Sequence, residues 1–110
     1  MPHGSAAMQR CIEHCLACHR TCLEMASQHC LELGGQHTEP AHFRLMLACA
    51  EICRASAAVM MIGTELHARV CAACAEICEA CARDCERVGD MESCVAACRT
   101  CAASCKEMSA

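Results

Sequence analysis

Residues 71–85 read CAACAEICEACARDC, in which five cysteines recur at intervals of three and four residues. An α-helix turns by about 100° per residue, so these intervals bring side chains back to one face. The five cysteines therefore share an arc of roughly 90°, with His67 inside it. This stretch predicts a helix whose buried face is lined with thiols.

The same spacing recurs along the rest of the chain. Cys-x3-Cys-x2-Cys-x3-Cys occurs at residues 11–22, 74–85 and 94–105, while residues 42–60 carry a stripe with only two cysteines. Glycines at 34–35, 63 and 89 separate these segments, as expected for helix C-termini. Thr38 is the predicted N-cap of the second segment, with Pro40 in its first turn. We predict four helices, over about residues 5–33, 40–62, 64–88 and 91–108.

Short connections make successive helices antiparallel neighbours. The 110 residues are enough for one compact unit, and β-branched residues are sparse. The predicted fold is therefore all-α, an antiparallel up-down-up-down four-helix bundle with a cysteine-lined core, forming a single domain over residues 1–110.

Composition excludes several functions. A net charge of −4 with one Phe and neither Trp nor Tyr argues against nucleic-acid binding. No uninterrupted apolar run approaches a membrane span, and the N-terminus carries no export signal, so we expect a cytoplasmic protein without a membrane partner. The sequence contains no nucleophile–base–orienter set and no phosphate-binding loop, so we do not expect an enzyme.

Sixteen cysteines need an explanation beyond packing. Cysteine is a small apolar residue, but replacing Leu by Cys at core positions gives up about 1 kcal/mol of burial free energy each. Disulfides within one helix have poorly matched geometry, and a cytosolic location disfavours cross-helix pairs. Fifteen of the sixteen lie on predicted core faces, and Cys30 lies roughly 100° from the stripe begun by Cys11. Metal binding is the favoured interpretation.

Charge balance favours Cu(I). The predicted core faces contain no Lys or Arg, so the metal must neutralise the thiolates. Sixteen thiolates with four Zn(II) leave eight uncompensated negative charges, whereas sixteen Cu(I) leave none. Soft thiolates also suit zinc and iron–sulfur clusters, so a zinc or iron–sulfur metal buffer remains the alternative.

Apart from Cys30, the candidate metal ligands lie on the inward faces of the predicted helices. The candidates are Cys11, Cys15, Cys18, Cys22, Cys30, Cys49, Cys53, Cys71, Cys74, Cys78, Cys81, Cys85, Cys94, Cys98, Cys101, Cys105, His42, His67 and Met46. Imidazole and thioether exchange Cu(I) more readily than thiolate clusters do, so the His and Met ligands are expected near the bundle ends.

The chain resembles the bacterial copper storage proteins. The resemblance is carried by CHRTCLE at 18–24, HFRLMLACAEIC at 42–53, CAACAEICEAC at 71–81 and CRTCAASCKEM at 98–108. It implies inward cysteines that bind Cu(I) along a bundle, His and Met ligands near one end, and homo-oligomers, commonly tetramers. The exported branch of this family carries a twin-arginine leader, which this sequence lacks, so the chain resembles the cytosolic branch. Expected partners are copper ions and a small-molecule or protein copper donor or acceptor.

Overall fold

The computed structural model describes residues 5–110, and all the regular elements in that range are helices. Residues 1–4 of the predicted domain lie outside the described part. Helix α1 begins as an α-helix over Ala6–Glu24, continues through a π-helical turn over Met25–Cys30, and ends with Leu31–Leu33. A short 3-10 turn, Gly35–Thr38, follows it. The remaining helices are α2 (Pro40–Ile62), α3 (His67–Val88) and α4 (Glu92–Met108).

The four helices form an antiparallel bundle of about 46 × 19 × 19 Å. Each helix packs against two others, so that α1–α2, α2–α3, α3–α4 and α4–α1 are the four sides. No strand occurs within residues 5–110. The predicted fold class is therefore confirmed.

Helix boundaries lie close to those predicted. Ser5 caps α1 by accepting a hydrogen bond from the Met8 amide at 3.2 Å, and Gly63 ends α2 in the left-handed conformation. The N-cap of α2 is Glu39 rather than Thr38, because Thr38 belongs to the preceding 3-10 turn. Pro40 occupies the first turn of α2 as expected, where its missing N–H costs no hydrogen bond.

The π-helical turn changes the position of Cys30, which regular α-geometry places roughly 100° from the inward stripe of α1. A π-turn accommodates about one residue more than an α-turn, so the following side chains are rotated back by roughly 100°. Cys30 consequently points inward and is fully buried. His29, which regular α-geometry places on the inward stripe, is turned to the surface with its side chain 30% exposed.

The core is narrow and rich in sulfur. All sixteen cysteines are buried, together with alanines that allow close helix approach and a few larger apolar side chains. The larger ones lie mainly towards the bundle ends: Met8, Ile12, Met46, Met60 and Met91. Such a core fits the shortage of large aliphatic residues in the sequence.

One helix of the described part, α2, is long and apolar enough to cross a membrane by length and composition. Its mean hydropathy reaches 1.8 over an 18-residue window, although Glu51 and Arg54 interrupt the apolar residues. The uninterrupted apolar runs of α2 nevertheless stay far shorter than a membrane span, as expected from the sequence. The core helix of a soluble protein passes the same test, and Cys49 and Cys53 of α2 are buried in the bundle.

Candidate metal centre

Fifteen of the sixteen cysteine side chains form a column along the bundle axis, which we call the thiol column, and Cys30 lies beyond one end of it. Neighbouring sulfurs from different helices lie 3.5–3.9 Å apart. The distance is 3.5 Å between Cys15 and Cys105 and also between Cys53 and Cys78. A disulfide bond is about 2.05 Å long, so these are separate thiols in van der Waals contact. All sixteen cysteines are free.

Four groups of four thiols lie close enough to hold a metal ion, with the sulfurs of each group within 4.8 Å of one another. Some cysteines belong to two groups, so the four groups together contain only ten different cysteines. The groups are Cys15–Cys74–Cys101–Cys105, Cys53–Cys74–Cys78–Cys101, Cys18–Cys49–Cys53–Cys78 and Cys18–Cys22–Cys49–Cys98. Overlap of this kind suits a chain of metal ions joined by shared thiolates.

The α1 N-terminal end of the column is closed by apolar side chains. Cys11 lies 3.8 Å from Cys105, and Met8 and Met60 are both about 1% exposed there. His67 begins α3 at this end, where its Nδ1–H donates to the Thr64 carbonyl at 2.8 Å. This contact leaves Nε2 as the nitrogen with a free lone pair. Among the described contacts, none joins His67 to a thiol.

At the opposite end, Cys30 lies among neutral side chains that bind Cu(I) more weakly than thiolate does, and we call this group the end cluster (Cys30, His42, Met46 and Met91). The Cys30 sulfur is 3.7 Å from the Met46 Sδ, 3.8 Å from the Met91 Sδ and 3.9 Å from the His42 Nε2. All four side chains are at most 1% exposed. The π-turn of α1 thus completes a set of one thiol, two thioethers and one imidazole.

Asp84 fixes the orientation of His42. Its Oδ2 accepts a hydrogen bond from the His42 Nδ1–H at 2.7 Å, while its Oδ1 accepts from Arg87 at 2.9 Å. With Nδ1 protonated, the His42 Nε2 presents a lone pair towards Cys30. A carboxylate behind the imidazole is the usual arrangement for orienting a histidine that binds metal.

Burial keeps the end-cluster thiol protonated in the absence of metal. Removal from water, reinforced by repulsion from Cys94 and Cys81, raises the pKa of Cys30 from 9.0 to about 11. The core faces provide no cation to stabilise a thiolate, so an incoming metal ion must displace the proton.

Comparison with known proteins identifies the family. The family model for copper storage proteins matches residues 4–110, almost the whole chain. The chain belongs to the copper storage protein family. The resemblance seen in the sequence is therefore confirmed.

Solved structures of similar proteins share the bundle. The Nmul_A1745 protein from Nitrosospira multiformis is 51% identical, with a TM-score of 0.92 over 94% of each chain. The Cu(I)-bound copper storage protein BsCsp3 is 35% identical, with a TM-score of 0.87 over 94% of this chain and 99% of that one. The apo form of copper storage protein 3 from Bacillus subtilis is 36% identical, with a TM-score of 0.82 over 93% and 98%. No match was found among curated protein sequences.

Within this copper storage fold, the structure brings together most of the predicted ligands. Fifteen cysteines lie in the thiol column, and His42 and Met46 lie beside the sixteenth, Cys30. His67 stands apart, at the start of α3. The candidate list had omitted Met91, although its place at the end of the α4 stripe was a usable signal. Asp84 was also missed, because nothing in its spacing distinguishes it from a surface carboxylate.

Proposed function

We propose that this protein stores Cu(I) in the cytosol, binding many ions per chain through the thiol column. The observation that carries the proposal is the overlap of the four-thiol groups, in which Cys18, Cys49, Cys53, Cys74, Cys78 and Cys101 each belong to two groups. Shared ligands suit Cu(I), which accepts few thiolates per ion. Separate tetrahedral zinc sites each need four ligands of their own.

Electrostatics supports the same metal. The described charged side chains lie at the surface or at its margin, and none of them is buried in the thiol column. An uncompensated charge in such a core is very costly, so thiolates and metal charges must cancel. One Cu(I) per thiolate achieves that balance along the whole column, whereas Zn(II) in shared four-thiol groups leaves excess negative charge.

We assign roles by position. The cysteines of the thiol column hold the stored ions. The end cluster passes Cu(I) between solvent and column, because thioether and imidazole bind Cu(I) more weakly than clustered thiolates. His67 is proposed as a further ligand at the other end, through its Nε2. The role is storage rather than catalysis.

We also propose that the chain forms a homo-oligomer, and the family resemblance suggests a tetramer. Large apolar side chains are exposed near both bundle ends, including Leu31 (58%), Ile62 (75%) and Leu66 (62%). Burying them between copies would remove apolar surface from water. The copper donor and acceptor are proposed to be a small molecule or another protein that exchanges Cu(I) with the end cluster.

Metal stoichiometry tests the proposal. Reduced protein is titrated anaerobically with Cu(I) against a chromophoric chelator, and in parallel with Zn(II). We expect saturation near one Cu(I) per cysteine, with about one proton released per thiol. Saturation near four ions, with Zn(II) displacing Cu(I), would instead establish a zinc protein. No described feature favours an iron–sulfur cluster over either ion.

A further inference from the structure

Three side chains outside the thiol column meet above the turn between α3 and α4. The His29 Nε2 lies 2.8 Å from the Asp90 carbonyl oxygen and 3.7 Å from the Asp90 Oδ2. The His37 Nε2 lies 3.0 Å from the Gly89 carbonyl oxygen. One ligand atom from each of His29, His37 and Asp90 lies within 4.8 Å of the other two.

We propose that His29, His37 and Asp90 form a separate surface site for one Zn(II) ion. Two imidazoles and one carboxylate are ligands that zinc accepts at three positions of a tetrahedron, with water at the fourth. The set contains no sulfur, so soft Cu(I) is directed to the thiol column instead. Zn(II) and Cu(I) therefore bind at different sites of the same chain, because the two ions prefer different ligands.

The backbone prepares this site from three different segments. The π-turn of α1 rotates His29 outward by the same extra residue that turns Cys30 inward. His37 comes from the 3-10 turn before α2, and its ring packs edge-on against that of His29 at 5.6 Å. Asp90 adopts a positive φ of 55°, a conformation that Asp and Asn tolerate better than most residues.

Hydrogen bonds to the backbone hold both histidine rings at the turn between α3 and α4. A carbonyl oxygen only accepts hydrogen bonds, so each Nε2 carries the proton that it donates to Gly89 or Asp90. In each neutral ring the free lone pair is therefore on Nδ1, and the ring must turn away from the carbonyl oxygen to present a lone pair to the zinc ion. The site is accessible to ions in solvent because the Asp90 side chain is 69% exposed.

Zinc at this site would also restrain the adjacent end cluster. His29 precedes Cys30 and Asp90 precedes Met91, and those two sulfurs lie 3.8 Å apart. A metal that links α1, the α1–α2 connection and the α3–α4 turn limits the movement of both. With less movement in the end cluster, Cu(I) should enter more slowly. This effect on entry rests on the proposed storage function, whereas the zinc site itself does not.

The test uses protein already filled with Cu(I), so that the thiols are occupied when Zn(II) is added. Binding is measured by calorimetry, and the ligands are identified from imidazole ¹H–¹⁵N spectra. We expect one Zn(II) per chain, with shifts of the ring-nitrogen resonances confined to His29 and His37. His29→Ala and His37→Ala should each weaken Zn(II) binding by more than about 10-fold, since even the loss of a group that orients a ligand costs about 10–100-fold.

Asp90→Asn removes the carboxylate while tolerating the positive φ, and should also weaken binding. His14→Ala, a change elsewhere on α1, is the matched control and should bind Zn(II) like the wild type. Unchanged affinity in both site-histidine variants, or release of Cu(I) on adding Zn(II), would overturn the site. If the column does not fill with Cu(I), the same imidazole resonances are read in apo protein, so the two proposals fail separately.

The restraint on the end cluster is tested by stopped-flow Cu(I) uptake with and without one equivalent of Zn(II). Wild-type uptake should slow with Zn(II), and uptake by His37→Ala should be insensitive to it. Equal Zn(II) effects in both proteins would overturn the restraint while leaving the site to be judged by its binding data.

Discussion

Replacing Cys78 tests whether thiols of the column act as ligands or only as packing. The Cys78 sulfur lies 3.5 Å from Cys53, 3.7 Å from Cys49 and 3.9 Å from Cys74, and belongs to two of the four-thiol groups. Removing it takes one negative charge from the loaded core. Because charge in this core must balance, both Cys78→Ser and Cys78→Ala should bind about one Cu(I) fewer.

The two variants differ in apo stability. Cys78→Ser places a hydroxyl among thiols, which costs about 1–3 kcal/mol when no hydrogen-bond partner is gained. For a chain of 110 residues this corresponds to a fall in Tm of about 4 °C per kcal/mol. Cys78→Ala adds no polar group and leaves a cavity of about one atom, at a cost of ~1 kcal/mol.

The assay combines anaerobic Cu(I) titration with thermal unfolding of the reduced apo proteins. Ala82→Ser is the control, because it adds a buried hydroxyl on the same helix without removing a thiol. Its Cu(I) capacity should equal that of the wild type. Full capacity in both Cys78 variants, or equal loss in Ala82→Ser, would refute the assignment of Cys78 as a ligand.

Four further predictions follow from the same structure. The reduced apo protein should already be strongly helical by circular dichroism, because neutral thiols pack as core residues; a coil that folds only with metal would contradict this. The stability of the apo protein should fall as the pH rises from 9 towards 11, because the pKa of Cys30 is higher in the folded state than in the unfolded state. Denaturant unfolding at several pH values measures this fall. Asp84→Asn should slow Cu(I) uptake without changing capacity, because His42 loses its orienting carboxylate; stopped-flow uptake and titration compare the two quantities. Deleting Gln28 should convert the π-turn to regular α-helix and leave Cys30 facing inward, because Cys30 then follows Cys11 by 18 residues, about five full turns; a gain of thiol reactivity towards alkylating reagents in the folded apo protein would contradict the role of the turn.

The fold could be predicted from sequence because cysteine spacing reports helical faces directly. Intervals of three and four keep Cys71 to Cys85 on one arc, and the same rule fixes the inward faces of α1 and α4. Glycines at 34, 63 and 89 mark the helix ends, and the short connections between helices set the topology. These are local signals, so they needed no knowledge of packing.

The π-turn could not be predicted in this way. Uniform α-geometry places His29 inward and Cys30 at the side, and nothing within Met25–Cys30 signals the additional residue. The turn reverses both side chains, which completes the end cluster and exposes His29. Burial of the Cys30 sulfur against two methionines is a tertiary effect that outweighs the local preference for a regular helix.

The partners of the histidines also escaped sequence reasoning. Asp84 meets His42 across 42 positions of the chain, and His37 meets the carbonyl oxygen of Gly89 across 52. Contacts between two connections at one bundle end leave no periodic trace in the sequence. The ligands on helical stripes were therefore predictable, whereas the groups that orient them were not.

Anomalous X-ray diffraction at the copper edge, on crystals loaded anaerobically with Cu(I), tests the storage mechanism most directly because it locates each ion. We predict a row of copper peaks along the bundle axis within the thiol column. Cys18, Cys49, Cys53, Cys74, Cys78 and Cys101 should each contact more than one ion. Isolated copper peaks with four unshared sulfurs each, or copper bound mainly outside the bundle, would contradict the account.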